Sequence, residues 1–218
     1  MIGALRLAHQ RLIGPVQRSM YRLLLATTRP NPWDRFTFDV PLHAYGAGSL
    51  HPFSWYFSGQ LETTAHTVND VSDWLQGCTY RRDDEQFNST DHWQHPTHFE
   101  RRREGDCEDF SLWTWRKLVE MGCDAEFVAG WMRVGSVTVG HTWVHYRDAG
   151  QTFIFDPVVR DPREVVRPVE AVAPAYIPQV SVDQAFQGYV YGGYLTALHT
   201  RWKNRAYPLI ARVETSPA

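Results

Sequence analysis

The chain has 218 residues, 43% of them hydrophobic and 21% charged, with 9 Trp, 10 Tyr and 11 Phe; it reads as one ordinary domain with extensions, large enough to close its own core, and not as a disordered or collagen-like chain. Its 22 basic and 24 acidic side chains leave a net charge of −2, which gives no global attraction to nucleic acid or to an anionic membrane. Three cysteines, Cys78, Cys107 and Cys123, do not make a disulfide framework and favour a reducing, cytoplasmic setting.

Residues 1–33 hold no Asp or Glu but carry Arg6, Arg11, Arg18, Arg22 and Arg29. Leu5, Leu12, Ile13, Val16, Met20, Leu23, Leu24 and Leu25 recur at helical spacing, so residues 1–40 are expected to form a basic amphipathic helical extension. It packs on the domain or, through residues 1–30, makes a weak contact with a membrane or a partner. The apolar block Leu23–Ala26 is too short for a secretory signal, and no run approaches the ~18 residues of a membrane span.

The domain proper is expected over 41–218. Residues 42–60 mix Gly, His, Pro and aromatics and read as loop, and 61–77 read as a helix closed by Gly77. The polar stretch 79–105 carries the charge runs Arg81–Glu85 and Arg101–Arg103 and reads as a solvated loop. His92, His95 and His98 recur every third residue, a spacing that could share a metal on a helix, but Pro96 breaks the run and predicts loop instead. From Gly105-Asp106 a helix is expected to run to Gly122, with Asp106 as N-cap and Cys107, Phe110, Thr114, Leu118 and Met121 along one stripe. Strands are expected at 125–134, 137–146 and 151–156, with turns at Gly135-Ser136 and Asp148-Ala149-Gly150. Beyond 157 the chain is Pro-rich, with a short helix near 194–204. One helix followed by a run of antiparallel strands is an α+β pattern.

The chemistry concentrates in this central part. Cys107 sits at a helix start, where the helix dipole favours thiolate. Pairing Tyr146 with Gln151 across the second turn places His141 opposite Asp156 on one sheet face; a slip of one residue would separate them. A thiol, a base beside it and an acid to fix the base form a nucleophilic set in the order Cys107, His141, Asp156. The same residues also suit a buried cysteine in a core helix and a structural His–Asp bond. Trp93 and Gln94, just upstream, could offer an indole N–H or amide donor to an oxyanion. Asp106, Glu108 and Asp109 crowd the thiol with negative charge, which opposes thiolate unless the helix end, His141, nearby arginines or a bound cation offsets it.

The blocks GDCEDF (105–110), GHTWV (140–144) and FIFDP (153–157) resemble the Cys, His and Asp blocks of the transglutaminase-like superfamily. DHWQHPTHF (91–99) ahead of GDCED resembles the bacterial transglutaminase-like cysteine proteinases. The resemblance spans residues 91–158; the link ERRRE (100–104) departs from the family's usual Gly-rich stretch. It implies a papain-like α+β core in which a nucleophile helix packs on an antiparallel sheet. Carried over position by position, Cys107 is the nucleophile, His141 the base and Asp156 the orienting acid. The implied activity is amide hydrolysis of a protein or peptide through a thioester, with no cofactor required. The alternatives are acyl transfer to an amine and a non-catalytic binding module on the same fold. Some relatives are calcium-dependent, and oxygen ligands at Asp106, Glu108 and Asp109 would suit that ion.

Overall fold

The protein is described by a computed structural model over residues 31–38, 51–89 and 91–192. In chain order come β1 (Arg35–Phe38), a 3-10 turn (Phe53–Phe57), α1 (Val68–Gln76), β2 (Thr79–Tyr80), α2 (Asp83–Phe87), α3 (Pro96–Arg102), β3 (Glu104–Gly105) and α4 (Cys107–Glu120). They are followed by β4 (Asp124–Val134), β5 (Val137–Asp148), β6 (Gln151–Phe155), α5 (Pro162–Val165), β7 (Val166–Pro168), α6 (Val169–Val172), β8 (Tyr176–Asp183) and β9 (Gly188–Tyr191). The fold is α+β. Seven strands form one antiparallel sheet in the order β1-β9-β8-β4-β5-β6-β7.

Helix α4 packs on one face of this sheet, and residues 108–118 are all buried. Phe110, Leu112, Trp113, Trp115 and Leu118 join Phe127, Val144, Tyr146 and Phe155 in the main core. A helix buried all round must also satisfy its polar side chains. Arg116 does so by donating to the carbonyls of Tyr56, Ser58 and Gly59, and Lys117 by donating to that of Thr63. The opposite sheet face carries a second cluster of Val128, Trp143, Ile154, Val172 and Tyr176. Among the described residues, no helix is long and apolar enough to cross a membrane.

The same second face holds two buried polar groups. Glu126 takes hydrogen bonds from Arg35, Arg147, Ser181 Oγ (2.7 Å) and Tyr191 OH (3.5 Å), which ties β4 to β1, β5, β8 and β9. Burial pushes its carboxyl up, but Arg147 and Arg35 outweigh this and hold it below the usual range. Beside it, Trp143 Nε1 donates to His145 Nε2 at 2.8 Å, which requires that nitrogen to be unprotonated. Burial holds the His145 pKa at about 4. The folded state therefore binds fewer protons than the unfolded chain between about pH 4 and the unperturbed value near 6.5, so this stabilisation is complete above ~6.5 and lost as pH falls toward 4. We expect the His145 contribution to the unfolding free energy, read as wild type minus His145→Gln, to fall by on the order of 3 kcal/mol from about pH 6.5 to about pH 4, so that the two slopes differ over that window. An unchanged slope in the variant would move the titration to another group.

The structure corrects several expectations. The helix predicted over 61–77 starts only at Val68: Thr67 caps it, accepting from the Asp70 N–H at 3.1 Å, and the N–H groups of Glu62 and Thr63 are held instead by the Glu100 carboxylate. The stretch 79–105 is not one solvated loop, since it contains β2, α2, α3 and β3, and Asp83 and Glu100 turn inward. Pro96 does not break a helix; it begins α3 at a first-turn position where its missing N–H costs nothing. Within 51–60 the chain forms the 3-10 turn rather than plain loop. The extension over 1–40 lies outside the described residues except at 31–38, where Arg35–Phe38 pair with β9 as an edge strand. The helix near 194–204 lies outside them as well.

The three central strands stand within two residues of their predicted ends. The second hairpin closes two residues tighter than expected, with Gln151 opposite Asp148 instead of Tyr146. Asp148 pairs with Gln151 across Ala149-Gly150, both at positive φ (48° and 80°), as a two-residue hairpin turn demands. The register is therefore shifted by two. His141 does not stand directly opposite Asp156, but a shift of two keeps both on the same sheet face as diagonal neighbours.

Candidate active site

Cys107 is the first residue of α4, with Asp106 at the N-cap. One turn on, Ser111 faces the same way, and Thr142 Oγ1 donates to Ser111 Oγ at 3.1 Å. This contact fixes the start of α4 beside β5 next to His141. Strand β6 pairs with β5 only as far as Val144↔Phe155.

His141 and Asp156 are both buried, and His141 Nε2 lies 2.9 Å from Asp156 Oδ2. Tyr176 OH donates to the same oxygen at 2.6 Å, and the Val158 N–H reaches Oδ1 at 3.3 Å. The Cys107 side chain lies close enough to His141 to contribute to raising its pKa. With Nε2 engaged by Asp156, Nδ1 is the ring nitrogen left for the sulfur. The thiol also lies within reach of Glu108 Oε2, at 3.1 Å. Burial alone would lower the His141 pKa, but the charge and hydrogen bond of Asp156, aided by Cys107, raise it to about 10. Burial likewise pushes Asp156 up, and His141, Tyr176 and Val158 pull it below its usual range. The pair is thus arranged to carry an imidazolium next to a carboxylate. Burial drives the Cys78 thiol up to about 12 and raises that of Cys123.

Around Cys107 gathers a cluster of carboxylates larger than the sequence suggested. Asp83, Asp106 and Asp109 bring oxygens within 4.8 Å of one another, and so do Asp83, Asp91 and Glu108. Burial, then mutual repulsion, raises Asp83 to about 7. Burial also raises Asp91 to about 6, against the hydrogen bonds that lower it. It raises Asp106, Glu108 and Asp109 as well. Asp83 Oδ1 and Asp106 Oδ1 are buried with no hydrogen-bond partner. Gly105 is required by the same packing, because a Cβ there would stand 2.4 Å from Asp109 Oδ2.

Trp93 and Gln94 stand next to this cluster, but their donors are engaged. Trp93 Nε1 donates to Asp91 Oδ1 at 2.7 Å, and Gln94 Nε2 donates to the Glu104 carbonyl and to Asp109 Oδ2. Neither side chain has an N–H left for an oxyanion in this arrangement, which corrects that expectation. The residues that sequence reading missed are Asp83, Asp91 and Tyr176. No local motif marks them; each reaches the site only through the fold.

No family model and no curated protein matches the chain. Among solved structures it is similar to LapG of Legionella pneumophila, at 18% identity and a TM-score of 0.45, over 63% of this chain and 74% of that one. Calcium-bound LapG of the same organism gives 18% identity and 0.45 over 67% and 73% of the two chains. A candidate cysteine protease from Cytophaga hutchinsonii gives 14% identity and 0.37 over 64% and 57%.

Proposed function

We propose that the protein is a transglutaminase-like cysteine peptidase that hydrolyses an amide bond of a protein or peptide through a thioester. The observation that supports this best is the buried His141–Asp156 pair at 2.9 Å, with a thiol at the start of a helix near enough to raise the His141 pKa. His141 Nδ1 takes the Cys107 proton, and the sulfur attacks the amide carbonyl carbon. The tetrahedral oxyanion collapses, the C–N bond breaks, and His141 returns its proton to the leaving amine. Water then attacks the thioester, giving up a proton to His141, and the C–S bond breaks to release the acid and the thiol. Asp156 stays ionised throughout and holds the imidazole in one orientation. With Trp93 and Gln94 engaged, the first-turn N–H groups of α4 are the donors placed for the oxyanion.

The carboxylate cluster fits a hard divalent cation such as calcium. Its donors are all oxygens, and two of them are buried without partners. Asp106, Glu108 and Asp109 would hold the ion together with Asp83 and Asp91, and its charge would offset the repulsion that opposes a thiolate at Cys107. Calcium should therefore stabilise the fold by roughly 2.7 kcal/mol at a hundredfold excess over Kd, seen as a higher melting temperature than that of the chelated protein, and Asp106→Asn should abolish the rise. Identical melting curves with calcium and with chelator would remove the ion from this account and leave the nucleophile assignment standing.

The proposed activity is tested by alkylating the intact protein with substoichiometric iodoacetamide at neutral pH and mapping the label. Cys107 should react first, since burial holds Cys78 and Cys123 as thiols. Preferential labelling of either of the other two would overturn it.

A further inference from the structure

We propose that Tyr176 is a positioning residue that holds Asp156 in the orientation in which it binds His141; this rests on the reading of Cys107, His141 and Asp156 as a catalytic set. Tyr176 opens β8, on the far side of β4 from the His141 strand, yet its phenol reaches Asp156 Oδ2 at 2.6 Å. That oxygen is the one that accepts from His141 Nε2. The ring is buried and packs edge-on against Trp143 at 5.1 Å and beside His141 at 6.4 Å.

The direction of the hydrogen bond follows from its partners: an ionised carboxylate can only accept, so the phenol gives its single proton to Asp156. Among the described residues, Asp156 is held through its side chain, apart from His141 and Tyr176, by the long contact from Val158 to its other oxygen. Without the phenol the carboxylate would be free to rotate away from the imidazole. Its ionised form would also lose one of its short charge-assisted bonds.

Tyr176→Phe keeps the ring and its packing and removes only the hydroxyl. We expect the rate of Cys107 alkylation by iodoacetamide at neutral pH to fall about tenfold, the effect of losing one hydrogen bond to a charged group. In an Asp156→Asn background the same substitution should change the rate by less than about twofold, because a residue acting through Asp156 has nothing left to act on. The deshielded His141 Nε2–H proton signal should also shift in Tyr176→Phe while circular dichroism stays unchanged. Equal losses in both backgrounds, or no loss in either together with an unmoved proton signal, would overturn the inference. If Cys107 is not the preferentially alkylated thiol of the wild-type protein, the catalytic reading fails and takes this inference with it; selective Cys107 labelling that Tyr176→Phe leaves unchanged refutes Tyr176 alone.

Discussion

Cys107→Ala is expected to abolish turnover and thiol labelling at the site, because no neighbouring side chain can replace the sulfur. His141→Ala should be nearly as severe, with a loss of about 10³-fold or more. It removes both the base that makes thiolate and the acid that protonates the leaving amine. Asp156→Asn should cost less, on the order of 10²-fold, since the nucleophile survives but the imidazole can take the wrong tautomer. Its fold should hold, because an amide oxygen can still accept from Tyr176. Cys78→Ala and Cys123→Ala should leave turnover nearly unchanged: Cys78 is buried against the Trp74 carbonyl, and Cys123 lies beyond the far end of α4. Steady-state rates of the five variants check this ranking. An inactive Cys78 or Cys123 variant with an active Cys107→Ala would invert it.

The second large effect is on stability. Glu126→Ala should lower stability by about 3–5 kcal/mol, the usual result of removing one member of a buried ion pair. The substitution takes the buried acceptor from Arg35 and from Arg147, which keeps only Asp124, and leaves Ser181 without its acceptor. Because Glu126 ties β4 to strands on both of its sides, the loss should appear as one cooperative transition at lower temperature, about 10 °C or more below that of the wild type. Cys107 labelling in the fraction that remains folded should be unaffected, since Glu126 touches none of Cys107, His141 and Asp156. A melting temperature within about 2 °C of the wild type would mean that the arginines are satisfied by water.

Legibility in the sequence followed the range of the interaction. The Cys107 helix was readable because its signals are local: an acidic N-cap before it, Gly122 at a φ of 84° after it. The β4–β5–β6 hairpins were readable for the same reason. Their register was not, because an Ala149-Gly150 turn and a longer loop leave similar traces in sequence. The His141–Asp156 proximity survived that error only because a shift of two residues keeps the face. The 61–66 segment looked helical by pattern, but Glu100, nearly forty residues away, binds its backbone. Asp83 lay inside a charge run that read as solvated. Its burial follows from α2 packing toward the start of α4, and the His92 backbone N–H reaches it only in three dimensions. Tyr176 sits in the Pro-rich part and is joined to the site by sheet order alone.

The most direct test of the central claim is a pre-steady-state reaction with an activated ester, followed by acid quenching and intact-mass analysis. The account predicts a burst of about one equivalent of leaving group. It also predicts one acyl group mapped to Cys107 and removed by hydroxylamine, as a thioester must be. An acyl group found on Cys78, on Cys123 or on no cysteine, or a burst that persists in Cys107→Ala, would contradict it.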